Sequence, residues 1–410
     1  MSENTAMNDD IGTTDGAGTQ ALAELTTMRV GGRPAHIVTA STETQLIAAA
    51  RAVWEGGGNW LLLGGGSNTI ASDEGFDGTV IRVVTRGIQR LDTGQSGERV
   101  RLRVQAGESW DGLIALVVRG GWSGLEALSG IPGSVGAAPV QNIGAYGQEL
   151  SSRLIAIDFL DGTTGEVRRM DADELDLGYR TSVLKTSAAR RGLEGVVLAI
   201  ELELIPDQTG VGAPLSEPIA YGQLANTLGV NIGARVPLAE LRRAVLALRA
   251  SKGMVLDPDD VDSVSAGSFF TNPIVSAEFA STLPQDAPRW ALAPDEPDLV
   301  APLDAENAEQ SASVAIIADA ARDRTRRQAA ESSDVKLSAA WLIEHAGIHR
   351  SFALPGSRAA ISSKHTLALT NRGGATAAEV VELARYVQGR VQSEFGVVLQ
   401  PEPVLVGVSL

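Results

Sequence analysis

Leu61-Leu62-Leu63-Gly64-Gly65-Gly66-Ser67-Asn68 is an apolar run that stops abruptly at three glycines and two polar residues. The apolar part reads as a strand. The glycines after it permit positive φ and a close approach of main chain to a ligand. Such a turn can aim several backbone N–H groups at one phosphate, although a surface turn has the same composition. A second stretch extends the pattern: Gly130-Ile131-Pro132-Gly133-Ser134-Val135-Gly136-Ala137-Ala138-Pro139-Val140-Gln141-Asn142-Ile143-Gly144-Ala145-Tyr146-Gly147. Its five glycines and three alanines let backbone run along a flat, extended ligand, while Ser134, Asn142 and Tyr146 offer hydrogen bonds. Tight core packing is the competing explanation. Together the two segments are expected to hold a diphosphate-bearing ligand. No Gly-Lys-Ser/Thr occurs, and Gly64-x-Gly66 lacks the third glycine of the Rossmann fingerprint, so neither a Walker A loop nor a standard nicotinamide domain is indicated.

Outward from these segments, short β-rich runs cover Ala35–Thr39, Trp60–Leu63, Val80–Val84, Val100–Gln105, Leu154–Leu160 and Val196–Leu204. Helical spacing intervenes at Glu43–Trp54, with Thr42 and Gln45 placed as a capping box, and at Trp110–Arg119. A Gly/Pro-rich linker follows Pro206, and Leu238, Leu241, Val245 and Leu248 then fall on one helical face. Later elements are a helix at Ala339–Ala346, a strand at Leu367–Asn371 and a helix at Ala377–Phe395 capped by Thr376 and Glu379. The mixture predicts an α/β or α+β architecture. Ala277–Val335 is rich in Ala, Asp, Glu and Pro, with a helix candidate at Ser313–Arg327, and reads as a mobile insertion. Met1–Gln20 reads as a disordered tail.

The 410 residues predict two or three domains. Fifty acidic against thirty-four basic residues give a formal charge of −16, which disfavours nucleic-acid and anionic-membrane partners. An anionic ligand must therefore meet local cations. Cysteine is absent, which removes disulfides, thiolate nucleophiles, cysteinyl metal sites and cysteine-linked flavin, and no metal site is expected. With no apolar run long enough to span a membrane and no signal-peptide pattern, the expected setting is cytoplasmic.

Further blocks follow in order: Leu25-Thr26-Thr27-Met28-Arg29-Val30-Gly31-Gly32, Gly178-Tyr179-Arg180-Thr181-Ser182-Val183-Leu184-Lys185, Gly267-Ser268-Phe269-Phe270-Thr271-Asn272-Pro273, Lys336-Leu337-Ser338-Ala339-Ala340-Trp341-Leu342-Ile343-Glu344, Lys364-His365 and Pro401-Glu402-Pro403-Val404. In these blocks and both glycine segments the chain resembles the UDP-N-acetylenolpyruvoylglucosamine reductase family, in its tyrosine-loop form, from Leu25 to Gly407. The resemblance implies a two-subdomain FAD-binding fold of the vanillyl-alcohol-oxidase type over residues 21–210, divided near 85. It also implies a linker with the tyrosine loop at 211–250, an α+β substrate-binding domain at 251–398 that closes over the flavin, and a returning strand at 399–410. Leu184 departs from the family's phenylalanine, a swap expected to alter packing only.

The implied activity is reduction of UDP-N-acetylglucosamine enolpyruvate to UDP-N-acetylmuramate. NADPH is the cosubstrate and FAD the cofactor. The flavin is expected to be noncovalent, because none of His36, His345, His349 and His365 lies in a glycine segment. Its cradle would comprise Gly64, Gly65, Gly66, Ser67 and Asn68 with Ile131, Pro132, Gly133, Ser134, Gly136, Asn142, Gly144, Ala145, Tyr146 and Gly147. Hydride addition at C3 leaves charge at C2 that spreads into the neighbouring carboxylate. Arg180 suits that charge through a two-pronged guanidinium. Ser268 would donate the proton to C2, and Glu402, between two prolines before an apolar Val404–Val408 strand, would orient the intermediate and assist protonation. Tyr221, Lys252 and Asn272 match substrate-contact positions. Another flavin oxidoreductase of the same fold, or a noncatalytic nucleotide-binding module, are the rival classes.

Overall fold

The computed structural model describes residues 13–15, 20–92, 99–185, 192–207, 212–291 and 334–410. The helix candidate at Ser313–Arg327 and most of the N-terminal tail lie outside them. Two units emerge from the packing: 1–269 with 350–384 and 402–410, and 270–349 with 385–401.

The first unit begins with a β-α-β arrangement. Pro34–Ala40 and Trp60–Leu63 both run parallel to Phe76–Val83, which lies between them, and Thr13–Asp15 adds an antiparallel edge. The connecting helix, Glu43–Gly56, starts where the Thr42 hydroxyl accepts from the Gln45 N–H and stops at Gly57, whose φ of 64° reverses the chain. The predicted capping box is only half formed, because the Gln45 side chain accepts from Ser41 N–H at 3.0 Å instead of from Thr42. Leu46, Ala49 and Ala50 bury against Val38, Ala40, Ile81 and Val83.

The second sheet is antiparallel, in the order Val167–Asp171, Leu154–Asp161, Gly195–Pro206, Val100–Gln105, Ile88–Leu91. Along Val100–Gln105, Val100, Leu102 and Val104 are buried. Arg101 and Arg103, one step out of phase, pair with Glu203 and with Glu43 and Asp158 on the other face. Helix Trp110–Arg119, capped by Ser109, closes the apolar side with Trp110, Leu113, Ile114 and Val117. A third small sheet pairs Ser265–Ser268 with Ala368–Asn371, and that strand with Ala359–Ile361. The C-terminal strand, Val404–Val406, runs parallel to Thr69–Ala71 and stops short of the predicted Val408 at Gly407, whose φ is 67°.

In the second unit, Asp334–Leu337 lies between Ile274–Ser276 and Arg289–Ala291. Ser276 caps helix Ala277–Thr282, and Ser338 caps helix Ala339–His345. The first part of the acidic tract, 277–291, is therefore folded. Residues 251–269 and 350–384, grouped by sequence with the C-terminal domain, pack in the first unit.

The glycine run Gly64–Gly66 is explained by contact. A Cβ at Gly64 would lie 2.2 Å from Ser134 Oγ, and one at Gly65 would lie 2.6 Å from Gly133 Cα. Gly66 has φ of 61° and would place a Cβ 2.0 Å from Leu25 O. Gly165 also has positive φ, 71°, but faces open space. Gly165→Ala should therefore cost about 1 kcal/mol, the left-handed penalty alone. Gly66→Ala should cost roughly 3 kcal/mol or more, because the backbone must also yield. Urea unfolding of both variants measures the contrast; equal losses would contradict it.

Candidate active site

Arg180 lies in a tight turn in which Gly178 and Thr181 exchange backbone hydrogen bonds of 3.1 and 3.3 Å. It holds a left-handed φ of 55°. Two side chains pin the turn: Ser182 Oγ donates to Val140 O at 2.6 Å, and Asn142 Nδ2 donates to Gly178 O at 3.2 Å. The Arg180 guanidinium then reaches Gly144 O at 2.9 Å, Asn142 O at 3.5 Å and Glu402 Oε1 at 3.2 Å.

Glu402 arrives from the other end of the chain. Its N–H donates to Phe269 O at 2.8 Å, its carbonyl accepts from Asn68 Nδ2 at 3.2 Å, and Val404 N–H donates to Asn68 O at 2.8 Å. Beside the Arg180 ion pair, its carboxyl accepts a hydrogen bond of 3.3 Å from Gln141 Nε2. The Glu402 side chain is 13% exposed. Burial pushes its pKa up, against the opposing pull of the Arg180 and Lys185 cations. The Lys185 ammonium is itself pulled down by burial, with Glu402 acting in the opposite direction. Ser268 is the residue before Phe269, at the end of a strand paired to Ala368. Among the described residues its hydroxyl has no hydrogen-bond partner. The structure thus brings Arg180 and Glu402 into contact and sets Ser268 one residue from the carbonyl that fixes Glu402.

The glycine segments supply a donor cluster. Ser67 Oγ donates to Pro132 O at 3.0 Å, tying the loops together. Among the described residues, the N–H groups of Gly65, Gly66, Ser67, Gly133 and Ser134 have no protein acceptor. Unpaired N–H groups on touching, side-chain-free loops suit a diphosphate. Asn142 differs from its expected part. Its amide bonds Ser151 N–H, Glu149 and Gly178 O, and the residue is 2% exposed, so its side chain is taken up in holding the loops rather than offered to a cofactor. Asn68 similarly directs its amide to Gln141 Oε1, 3.3 Å away, and to Glu402.

A third group surrounds Tyr146, which has φ of 51°. Tyr221 meets its ring edge-on at 5.6 Å, and Lys252 Nζ stands 5.7 Å from its centroid while donating to Gln223 Oε1 at 2.8 Å. Burial and the Arg249 charge both lower the Lys252 pKa. Asn272 belongs to the second unit, where its Oδ1 accepts from Ala339 N–H at 3.0 Å. Sequence reasoning missed Gln141 and Lys185. Both lay inside quoted blocks, but a single amide or ammonium has no spacing that announces which carboxyl or carbonyl it will meet. No group of His, Asp or Glu among the described residues is arranged to hold a metal.

A family model for UDP-N-acetylenolpyruvoylglucosamine reductase, C-terminal domain, matches residues 258–406, and one for the FAD binding domain matches 34–171. A UDP-N-acetylenolpyruvoylglucosamine reductase of Leifsonia xyli subsp. xyli is 62% identical over 392 residues, covering 95% of this chain and 99% of its own. The protein of that name from Saccharopolyspora erythraea is 47% identical over 403 residues, covering 97% and 99%. The crystal structure of UDP-N-acetylenolpyruvylglucosamine reductase from Thermus caldophilus superposes with a TM-score of 0.55 at 24% identity, over 94% of this chain and 97% of the other, a likeness of fold. The expected architecture, an FAD-binding fold followed by an α+β domain, is borne out.

Because Glu402 is held above its ordinary value of 4.5, the folded protein favours its protonated form. That contribution to stability is fully present below pH 4.5 and is lost as pH rises through the folded pKa. The stability of the wild type relative to Glu402→Gln should therefore fall as pH is raised from about 4 to about 8. Denaturant midpoints across that range test this; a pH-independent difference would mean that Glu402 titrates as if exposed.

Proposed function

Since the chain belongs to the UDP-N-acetylenolpyruvoylglucosamine reductase family, we propose that it reduces UDP-N-acetylglucosamine enolpyruvate to UDP-N-acetylmuramate with NADPH, as an FAD-dependent oxidoreductase of peptidoglycan precursor synthesis. The observation that carries the assignment of residues is the half-buried Arg180–Glu402 pair, held between the donor-lined glycine segments and the Ser268 strand. When bound, FAD would supply the hydride-transfer chemistry at C3 of the enolpyruvyl group, with NADPH as the reductant.

The residues of the chain handle the charge and the proton. The Arg180 guanidinium donates to Gly144 and Asn142 and forms an ion pair with Glu402, and its remaining N–H donors would grip the substrate carboxylate as negative charge spreads into it from C2. The same cation balances that charge. Ser268, with no protein partner among the described residues, presents its hydroxyl to C2 and releases the proton there. A serine hydroxyl is a weak acid, so the step relies on the strong basicity of the carbanion and on replacement of the proton from a neighbouring donor. Glu402, whose pKa burial raises against the pull of Arg180 and Lys185, pairs with Arg180 and accepts from Gln141, a setting in which it would orient the intermediate and assist protonation.

The free N–H groups of Gly65, Gly66, Ser67, Gly133 and Ser134 would carry the flavin diphosphate, with Gly64, Ile131, Pro132, Gly136, Gly144, Ala145 and Gly147 letting backbone lie close. Tyr221 would meet the substrate diphosphate, Lys252 and Asn272 are the further positions that match substrate contacts, and Tyr146 belongs with the flavin cradle. Cationic contact at Lys252 supplies what a chain of net charge −16 otherwise lacks. No helix among the described residues is long and apolar enough to cross a membrane. A nucleotide-linked substrate and NADPH fit a cytoplasmic enzyme.

Anaerobic stopped-flow tests the reading. NADPH should bleach the flavin, and UDP-N-acetylglucosamine enolpyruvate should restore its oxidised spectrum. Ser268→Ala should leave bleaching unchanged and slow restoration by roughly 10²–10⁴-fold. A wild-type flavin that stays reduced rejects the substrate; an unimpaired Ser268→Ala rejects the proton donor.

A further inference from the structure

Lys185 ends the Tyr-Arg-Thr-Ser-Val-Leu-Lys run, and the chemistry above makes no use of it. Its ammonium donates to the backbone carbonyl of Arg180 at 3.1 Å. Arg180 needs such a hold, because φ of 55° is a left-handed conformation that a residue with a Cβ adopts only against a steric penalty. The turn bonds between Gly178 and Thr181 secure its flanks, but among the described residues Lys185 is the donor to the Arg180 carbonyl itself. That left-handed peptide sends the Arg180 side chain to Gly144 and Glu402. Relaxation toward ordinary φ would swing the guanidinium away from both.

We propose that Lys185 is a positioning residue for substrate reduction. It locks the Arg180 peptide in its left-handed conformation and adds a second cation beside Glu402, so that guanidinium and carboxyl meet the substrate carboxylate in one fixed geometry. The charged groups facing Glu402 are Arg180 and Lys185, and those facing Lys185 are Glu402 and Arg180, so the three form one electrostatic unit. Burial disfavours charge on both Lys185 and Glu402, and their mutual attraction offsets part of that penalty. The inference rests on the reductase reading.

The test uses FAD-loaded Lys185→Met, Lys185→Arg and Lys185→Gln in the anaerobic two-step assay. Lys185→Met should leave flavin reduction by NADPH within about twofold and slow reoxidation by substrate about tenfold to a hundredfold, as expected for a misplaced guanidinium. The pH at which reoxidation loses rate through Glu402 should also move upward, since removing a cation raises a neighbouring carboxyl. Lys185→Arg should restore reoxidation to within about threefold, because it keeps both donor and charge. If Lys185→Met does not retain FAD, Lys185→Gln is read by the same criteria. Unchanged reoxidation with an unchanged pH profile overturns the inference, as do equal losses in both half-reactions or a Lys185→Arg as slow as Lys185→Met. Failure of the wild type to reoxidise would instead overturn the reductase reading.

Discussion

Backbone touches backbone where Gly65 meets Gly133, at a distance that leaves no room for a Cβ. Everything else about the site follows from that approach. With the two loops in contact, Ser67 reaches Pro132 and Asn68 reaches Gln141. Asn68 then receives the returning C-terminal strand, and Gln141 receives the Glu402 carboxyl. Of the two readings of the glycines that the sequence left as competitors, close packing is seen directly, and the proposed ligand cradle would draw on the same geometry. The same absence of side chains that lets the loops pack also leaves five N–H groups unpaired at their junction.

Electrostatics is organised locally, against the sign of the whole chain. Around Glu402 and Tyr146 stand Arg180, Lys185, Arg249 and Lys252, and burial lowers the pKa of each of the last three. Arg249 even keeps Nε buried without a hydrogen bond. Desolvated cations in a protein of net charge −16 are a stored preference for anionic ligands, stronger than the same groups would have in water. Glu402 is the counterpart, a carboxyl that burial moves toward its neutral form and that two cations hold back.

Backbone strain concentrates in the same place. Asn142, Tyr146 and Arg180 all carry positive φ, and each is held by a specific group: Asn142 by its saturated amide, Arg180 by Lys185, Tyr146 by rings and cation around it. Such conformations persist only where the surroundings over-determine them, which is the condition a preorganised site requires.

Sequence by itself determined the regular elements, because strand alternation and helical spacing are local properties. Trp60–Leu63, Val100–Gln105, Trp110–Arg119 and Ala377–Phe395 have the bounds read from the chain. It also determined the family, through blocks that recur in order along the chain, and that resemblance nominated Arg180, Ser268 and Glu402. Tertiary structure alone decided which carboxyl, amide and ammonium meet. Gln141 and Glu402 are separated by 261 positions, and Asn68 and Glu402 by 334. No local rule couples such distances. Only burial does, by forcing each polar group that leaves water to find a partner among those the fold has brought near.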